Sequence, residues 1–151
     1  RYIMLRHVHS VDDSDLTWEK MDEYYTANLV NGLGNLTARI MKMAETHLEK
    51  EVFDELEYKN IVAFKEFNFQ RALDDVWNGI QIADAIIADT EPFKLIKTEP
   101  AEAKAILVNL RKVLYLIASQ LKPFMPDTSE IIKEAVLANK KPENLFNRLE
   151  G

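Results

Sequence analysis

The stretch Asn28-Leu29-Val30-Asn31-Gly32-Leu33-Gly34-Asn35-Leu36-Thr37-Ala38-Arg39-Ile40-Met41-Lys42-Met43 carries the period of an amphipathic helix. At about 100° per residue, Leu29, Leu33, Leu36, Ile40 and Met43 fall on one side. Asn28, Asn31, Gly32, Asn35, Arg39 and Lys42 fall on the other. The apolar side reads as a core stripe. The polar side holds three amides and two cations and no acid, in a chain with 25 acidic and 19 basic residues. Amides offer donors and acceptors together, and a nearby cation can hold a phosphate or stack on a base. The plainer alternative is a solvated face that lacks acids. Gly32 and Gly34 each cost about 1 kcal/mol against Ala in a helix interior. Two within three positions predict a closely packed neighbouring helix, a ligand or a bend, and helix–helix contact is the simplest of the three.

Outward from this stretch, the helix is expected to open near Leu16, with Asp15 or Thr17 as N-cap and Glu19 in the first turn. It should run to about Glu49, with Trp18 anchoring its start. Residues 50–67 form a charged transition. Asn68 reads as the N-cap of a second long helix to about Asp89. Its Leu73, Val76, Trp77, Ile80, Ala83, Ile86 and Ile87 recur at three and four. Pro92 suits the first turn of a short helix. Glu99-Pro100 begins another long helix, which runs through Leu121 and ends at Lys122-Pro123-Phe124-Met125-Pro126. Asp127-Thr128-Ser129-Glu130 opens a last one, to about Leu137. Residues 139–151 read as a C-terminal tail that docks through Leu145, Phe146 and Leu149. The fold class expected is all-α: a single domain, residues 1–151, built as an antiparallel bundle of four to five helices.

Composition narrows the chemistry. The chain has 151 residues, 47% of them apolar, with 4 Gly and 5 Pro, which fits one well-cored domain rather than a disordered segment. The absence of Cys excludes disulfides and thiolate zinc sites and fits a reducing compartment. No apolar run approaches the ~20 residues of a membrane span. The formal charge of -6 argues against nucleic acid covering the whole surface. A local contact remains open, because charges beyond about 8–10 Å are screened. His7 and His9 share a loop and His47 is remote. Glu45-Thr46-His47 lacks the Glu-x-x-His spacing of a carboxylate-bridged metal bundle. Asp12, Asp13 and Asp15 lack the glycine and distal glutamate of a calcium loop. With no phosphate-binding loop and no nucleophile elbow, neither a catalytic site nor a metal site is expected.

A second acid-poor stretch runs from Pro92 to Thr98. Phe93 follows a proline at a helix start, beside Lys94 and Lys97. A ring with neighbouring cations is the minimal platform for an unpaired base, worth about 1–3 kcal/mol per base stacked. In the plainer alternative Phe93, Leu95 and Ile96 plug the bundle.

Several segments in order carry a family resemblance. They are Asp15-Leu16-Thr17-Trp18-Glu19, the stretch from Asn28 to Arg39, Phe69-Gln70-Arg71-Ala72-Leu73, Thr90-Glu91-Pro92-Phe93-Lys94, Pro123-Phe124-Met125-Pro126-Asp127-Thr128-Ser129-Glu130, and Leu145-Phe146-Asn147-Arg148-Leu149. Together they resemble the C-terminal anticodon-binding domain of methionyl-tRNA synthetases, class I aminoacyl-tRNA synthetases. The bundle is shared with the valine, isoleucine, leucine and cysteine enzymes, which are the alternative family reading. In the resembled family an Asn-x-x-x-Arg pair on the first long helix contacts the anticodon, and it maps onto Asn35 and Arg39. A Pro-Trp pair meets the anticodon's first base, a cytosine. Pro92 maps onto the proline, and Phe93 replaces the tryptophan with a smaller ring that has no indole N–H.

The resemblance implies tRNA as partner through the methionine anticodon loop, with neither DNA nor membrane. It implies protein biosynthesis in the cytoplasm. The parent ligase would use ATP, magnesium and methionine in a catalytic domain outside this chain, so no cofactor is expected here and the fragment should not charge tRNA. Residues 1–10 would then be the tail of a linker from that catalytic domain. Asn28, Asn31, Lys42, Lys94 and Lys97 would support the site with polar contacts and positive potential. The alternative of a different class is a helical protein-interaction module. Geometry separates the two: RNA binding needs an exposed Phe93 near Asn35 and Arg39 in one shallow basic patch.

Overall fold

A computed structural model describes Tyr2, residues 17–49 and residues 69–148, with 69–72 by backbone alone. Thr17 opens the first helix in extended geometry (φ -89°, ψ 160°), and its hydroxyl accepts from the Lys20 N–H at 3.3 Å. This is one of the two caps expected. The other, Asp15, lies outside the described residues, as do Asn68, Leu149, His7, His9, the rest of the 1–10 segment apart from Tyr2, and the whole 50–67 segment. Trp18 does not anchor the helix start: it is 79% exposed.

From Trp18 the backbone stays helical to His47, but not uniformly. Helix α1 (Trp18–Tyr24) passes into a π-helical segment, π1 (Tyr25–Gly34), and then into α2 (Asn35–His47). At the junction the Asn35 N–H reaches Val30 O, five residues back, as well as Gly32 O. The two glycines belong to this widening. A Cβ on Gly34 would lie 3.0 Å from the Leu29 carbonyl oxygen, again five residues back, and 3.2 Å from Cδ2 of Phe146. The close neighbour is thus a ring from the C-terminal segment and not the packed helix expected from sequence. Wide turns of this kind are uncommon and concentrate at functional sites.

Three prolines start the remaining helices after α3 (Phe69–Thr90). These are α4 (Pro92–Leu95), α5 (Pro100–Leu121) and α6 (Pro126–Ala138). At the first helical position the missing N–H has no partner to lose. The architecture is an all-α bundle, with no strand among the described residues. Helix α5 is its axis and packs against α2, α3, α4 and α6. The core joins Leu33, Leu36 and Ile40 with the expected α3 stripe (Leu73, Val76, Trp77, Ile80, Ala83, Ile87) and with Leu107, Leu110 and Leu114 of α5. Trp77 is buried and stacks on Tyr2 with ring centroids 4.5 Å apart.

The end of α6 is fastened by buried polar groups. Arg111, 1% exposed, donates to Val136 O at 2.7 Å, supplying a donor to one of the last carbonyls of the helix. Asn139 takes the left-handed conformation (φ 49°, ψ 45°) that ends α6. Its side-chain amide donates to Ala44 O at 3.3 Å and Leu48 O at 3.0 Å, the carbonyls that end α2. The chain then returns along π1 and α2. Tyr25 Oη donates to Asn147 O at 2.9 Å, and the Phe146 ring meets Tyr25 edge-on. Leu145 and Phe146 pack on the core, as the docking reading of the tail expects.

Candidate nucleic-acid interface

Asn35 and Arg39 open α2 on its solvent side, one turn apart, because Leu36, Thr37, Ile40 and Met41 turn inward. The Arg39 guanidinium does not stand free. Its Nη1 donates to Asp84 Oδ1 of α3 at 2.8 Å, with the two side chains 42% and 39% exposed.

Phe93 reaches the surface by a tight device. Glu91 takes φ 40° and ψ 57° between α3 and α4. A left-handed conformation costs a non-glycine residue about 1–2 kcal/mol. Hydrogen bonds hold it there: the Glu91 N–H donates to Ile87 O at 3.1 Å, and its carbonyl accepts from Lys94 at 2.7 Å and Leu95 at 3.0 Å. Pro92 is buried beneath the turn, and Phe93 is left 47% exposed. Lys94 Nζ is clamped to Glu91 Oε1 at 2.6 Å and lies 5.8 Å from the centroid of the Phe93 ring.

These elements converge. Arg39, Lys42, Phe93 and Lys141 surround a shallow hollow of about 360 Å³ floored by Ala38, Met43 and Ile87. Asn31 and Asn35 face a second hollow, of about 590 Å³, walled opposite by Asn144, Asn147 and Arg148. Ala38 lines both, so they adjoin.

The sequence-derived residues therefore divide. Arg39, Lys42 and Phe93 meet, and Asn31 and Asn35 stand next door. Asn28 turns back and donates to Tyr24 O at 3.1 Å, while Lys94 and Lys97 line neither hollow. The basic character is also weaker than the acid-free stretches suggest, because other elements supply the missing acids. Asp84 partners Arg39 and Glu91 partners Lys94. Such exposed pairs are worth about 0–1 kcal/mol each, but each removes a net positive charge. Lys141 was not singled out from sequence. The adjacent Lys140-Lys141 was its only signal, and nothing local tied that pair to α2. Among the described residues no cluster suits a metal ion, and no helix is long and apolar enough to cross a membrane.

No family model matches the chain. Curated relatives do. A methionine–tRNA ligase of Methanocorpusculum labreanum is 27% identical over 95% of this chain and 23% of its own length. One of Clostridium acetobutylicum is 30% identical over 88% of this chain and 23% of its own length. One of Fusobacterium nucleatum is 28% identical over 96% and 26% respectively. The chain thus spans about a quarter of the length of these relatives. Over most of its residues this helical bundle is similar in sequence to one segment of the methionine–tRNA ligases.

Proposed function

We propose that this bundle is the anticodon-recognition domain of a methionine–tRNA ligase. The observation that carries the reading is the meeting of Arg39 and Phe93, distant in sequence, in one hollow with Lys42 and Lys141. An unpaired base stacks on the exposed Phe93 ring, which the buried Pro92 and the Glu91 turn hold in place. Arg39, released from Asp84, donates to a base edge or a phosphate, and its planar fork suits either. Asn35 supplies a donor and an acceptor one turn away. Splayed loop bases, not a duplex, are the ligand that a rigid helix face with one stacking ring can read. On this reading, attachment of methionine to the tRNA with ATP would belong to a catalytic domain outside this bundle, and the cytoplasm is where such a ligase would act.

The test is binding of the chain to a fluorescent stem-loop carrying the methionine anticodon, at low salt, beside a stem-loop with the first anticodon base changed. Wild type should prefer the methionine loop. Arg39→Ala should lose about tenfold or more in affinity, the scale of a hydrogen bond to a charged group, and lose the preference with it. Equal binding of both loops by both proteins refutes the assignment.

A further inference from the structure

The second hollow is not explained by a single stacked base. It lies between the π-helical part of the first helix and the C-terminal segment, and four side-chain amides border it: Asn31, Asn35, Asn144 and Asn147. All four residues are exposed, and no hydrogen bond within the described residues engages these amides. An amide presents a donor and an acceptor side by side, the pairing that a nucleobase edge requires. Its volume of about 590 Å³ falls in the usual ~300–1,000 Å³ of small-ligand sites. Arg148 adds a cation at its wall.

The wall is held by the fold. Asn139 ties the start of the segment to the end of α2, and the Tyr25 hydroxyl holds the carbonyl of Asn147. The missing Cβ of Gly34 makes room for Phe146, which seats the segment against π1. Ala38 belongs to both hollows, so a strand that places one base on Phe93 brings the next nucleotide to the mouth of the amide-bordered one.

We infer that the C-terminal segment is part of the RNA-reading surface, and that the second hollow takes the edge of a second unpaired base next to the one stacked on Phe93. This inference rests on the anticodon reading above. It assigns Asn144 and Asn147 as base-contacting residues and Lys141 and Arg148 as contacts to the connecting phosphates.

The experiment uses the full chain and synthetic methionine anticodon stem-loops in which each anticodon base in turn is replaced by an abasic site. Asn144→Ala/Asn147→Ala should weaken binding of the intact loop at least fivefold. It should also become insensitive to loss of one particular base. Phe93→Ala should become insensitive to a different, adjacent one. Lys141→Ala/Arg148→Ala should weaken all loops alike and flatten the salt dependence. Asn144→Leu, which keeps the volume and removes the donor and acceptor without adding a charge, is the second variant should the double alanine protein unfold, and it should show the same loss of sensitivity. If the amide variants bind and discriminate as wild type while Arg39→Ala and Phe93→Ala lose binding, the second pocket is refuted and the anticodon reading stands. If Arg39→Ala and Phe93→Ala are also without effect, both fall.

Discussion

Gly34→Ala should destabilise this protein, although the same change stabilises most helices. In an ordinary helix interior Ala gains about 0.5–1 kcal/mol over Gly. Here the new methyl arrives 3.0 Å from the Leu29 carbonyl oxygen and 3.2 Å from the Phe146 ring. The carbonyl is backbone inside a helix and cannot swing aside as a side-chain tip would. Overpacking of this kind costs about 1–3 kcal/mol. The balance is a loss of roughly 1–2 kcal/mol, which for a chain of this size is a fall in Tm of about 2–8 °C. Gly32 is the internal control. Its nearest contact, Ala27 O at 3.4 Å, is ordinary, so Gly32→Ala should keep the usual gain. Adding Phe146→Ala to Gly34→Ala relieves one of the two contacts. The double variant should therefore lose less than the sum of the singles, by about 0.5 kcal/mol or more. Urea denaturation followed by circular dichroism measures the four variants (Gly34→Ala, Gly32→Ala, Phe146→Ala and the double) against wild type. A Gly34→Ala protein as stable as Gly32→Ala would refute both the widened turn and the seat of Phe146.

Three other perturbations separate the structural roles. Asp84→Asn should change stability by less than about 1 kcal/mol, since the pair with Arg39 is exposed, and should tighten stem-loop binding several-fold at low salt; weaker binding in titrations would show that Asp84 positions Arg39 and does not merely compete for it. Arg111→Ala removes a buried side chain and a charged donor to Val136 O at 2.7 Å. It should cost about 3–5 kcal/mol, read as a lower urea midpoint. At the start of α5, the protonated Glu102 carboxyl donates to the Glu99 carboxylate, whose charge also repels its ionised form, and both effects raise Glu102 above its ordinary value of 4.5. The folded chain therefore holds that proton more tightly than the unfolded one. The resulting stabilisation is complete below the ordinary value and is lost as pH rises through the raised one, so Glu102→Gln should gain on wild type between acid and neutral pH, in urea midpoints compared at the two ends.

The bundle was legible because its signals are local and repeated. The stripe from Leu73 to Ile87 and the prolines at 92, 100 and 126 each specify an element without help from elsewhere. Thr17 was legible as a cap for the same reason. Trp18 was misread because a large ring near a helix start usually packs, and nothing in its neighbours shows which side it faces. The π segment was half legible: two glycines announced a close approach, but its partners, Leu29 O and Phe146, are respectively a backbone atom and a residue more than a hundred positions away. Asp84 and Lys141 were illegible as site residues. Their importance comes from the faces α3 and the C-terminal segment present to α2, which tertiary packing sets and no sequence window contains.

On the proposed reading, this chain binds RNA against its own net charge. A net charge of -6 opposes attraction to a phosphate backbone, and the nearest cations are partly neutralised by Asp84 and Glu91. Non-specific binding, which is mostly electrostatic, is therefore weak in this chain by itself. The features that remain are not simple charges. They are one exposed ring, a guanidinium held by a pair cheap enough to exchange for a base or phosphate, and four uncommitted amides. The ring and the amides favour an unpaired base over a bare phosphate. On that reading, Arg39 leaves Asp84 fully only for a base edge that engages its fork, so the pair lowers affinity for altered loops more than for the methionine loop. Selectivity then increases as raw affinity falls. Releasing the pair should raise affinity for methionine and altered loops together and narrow the gap between them. An Asp84→Asn protein that bound both loops more tightly with an unchanged ratio would contradict this account.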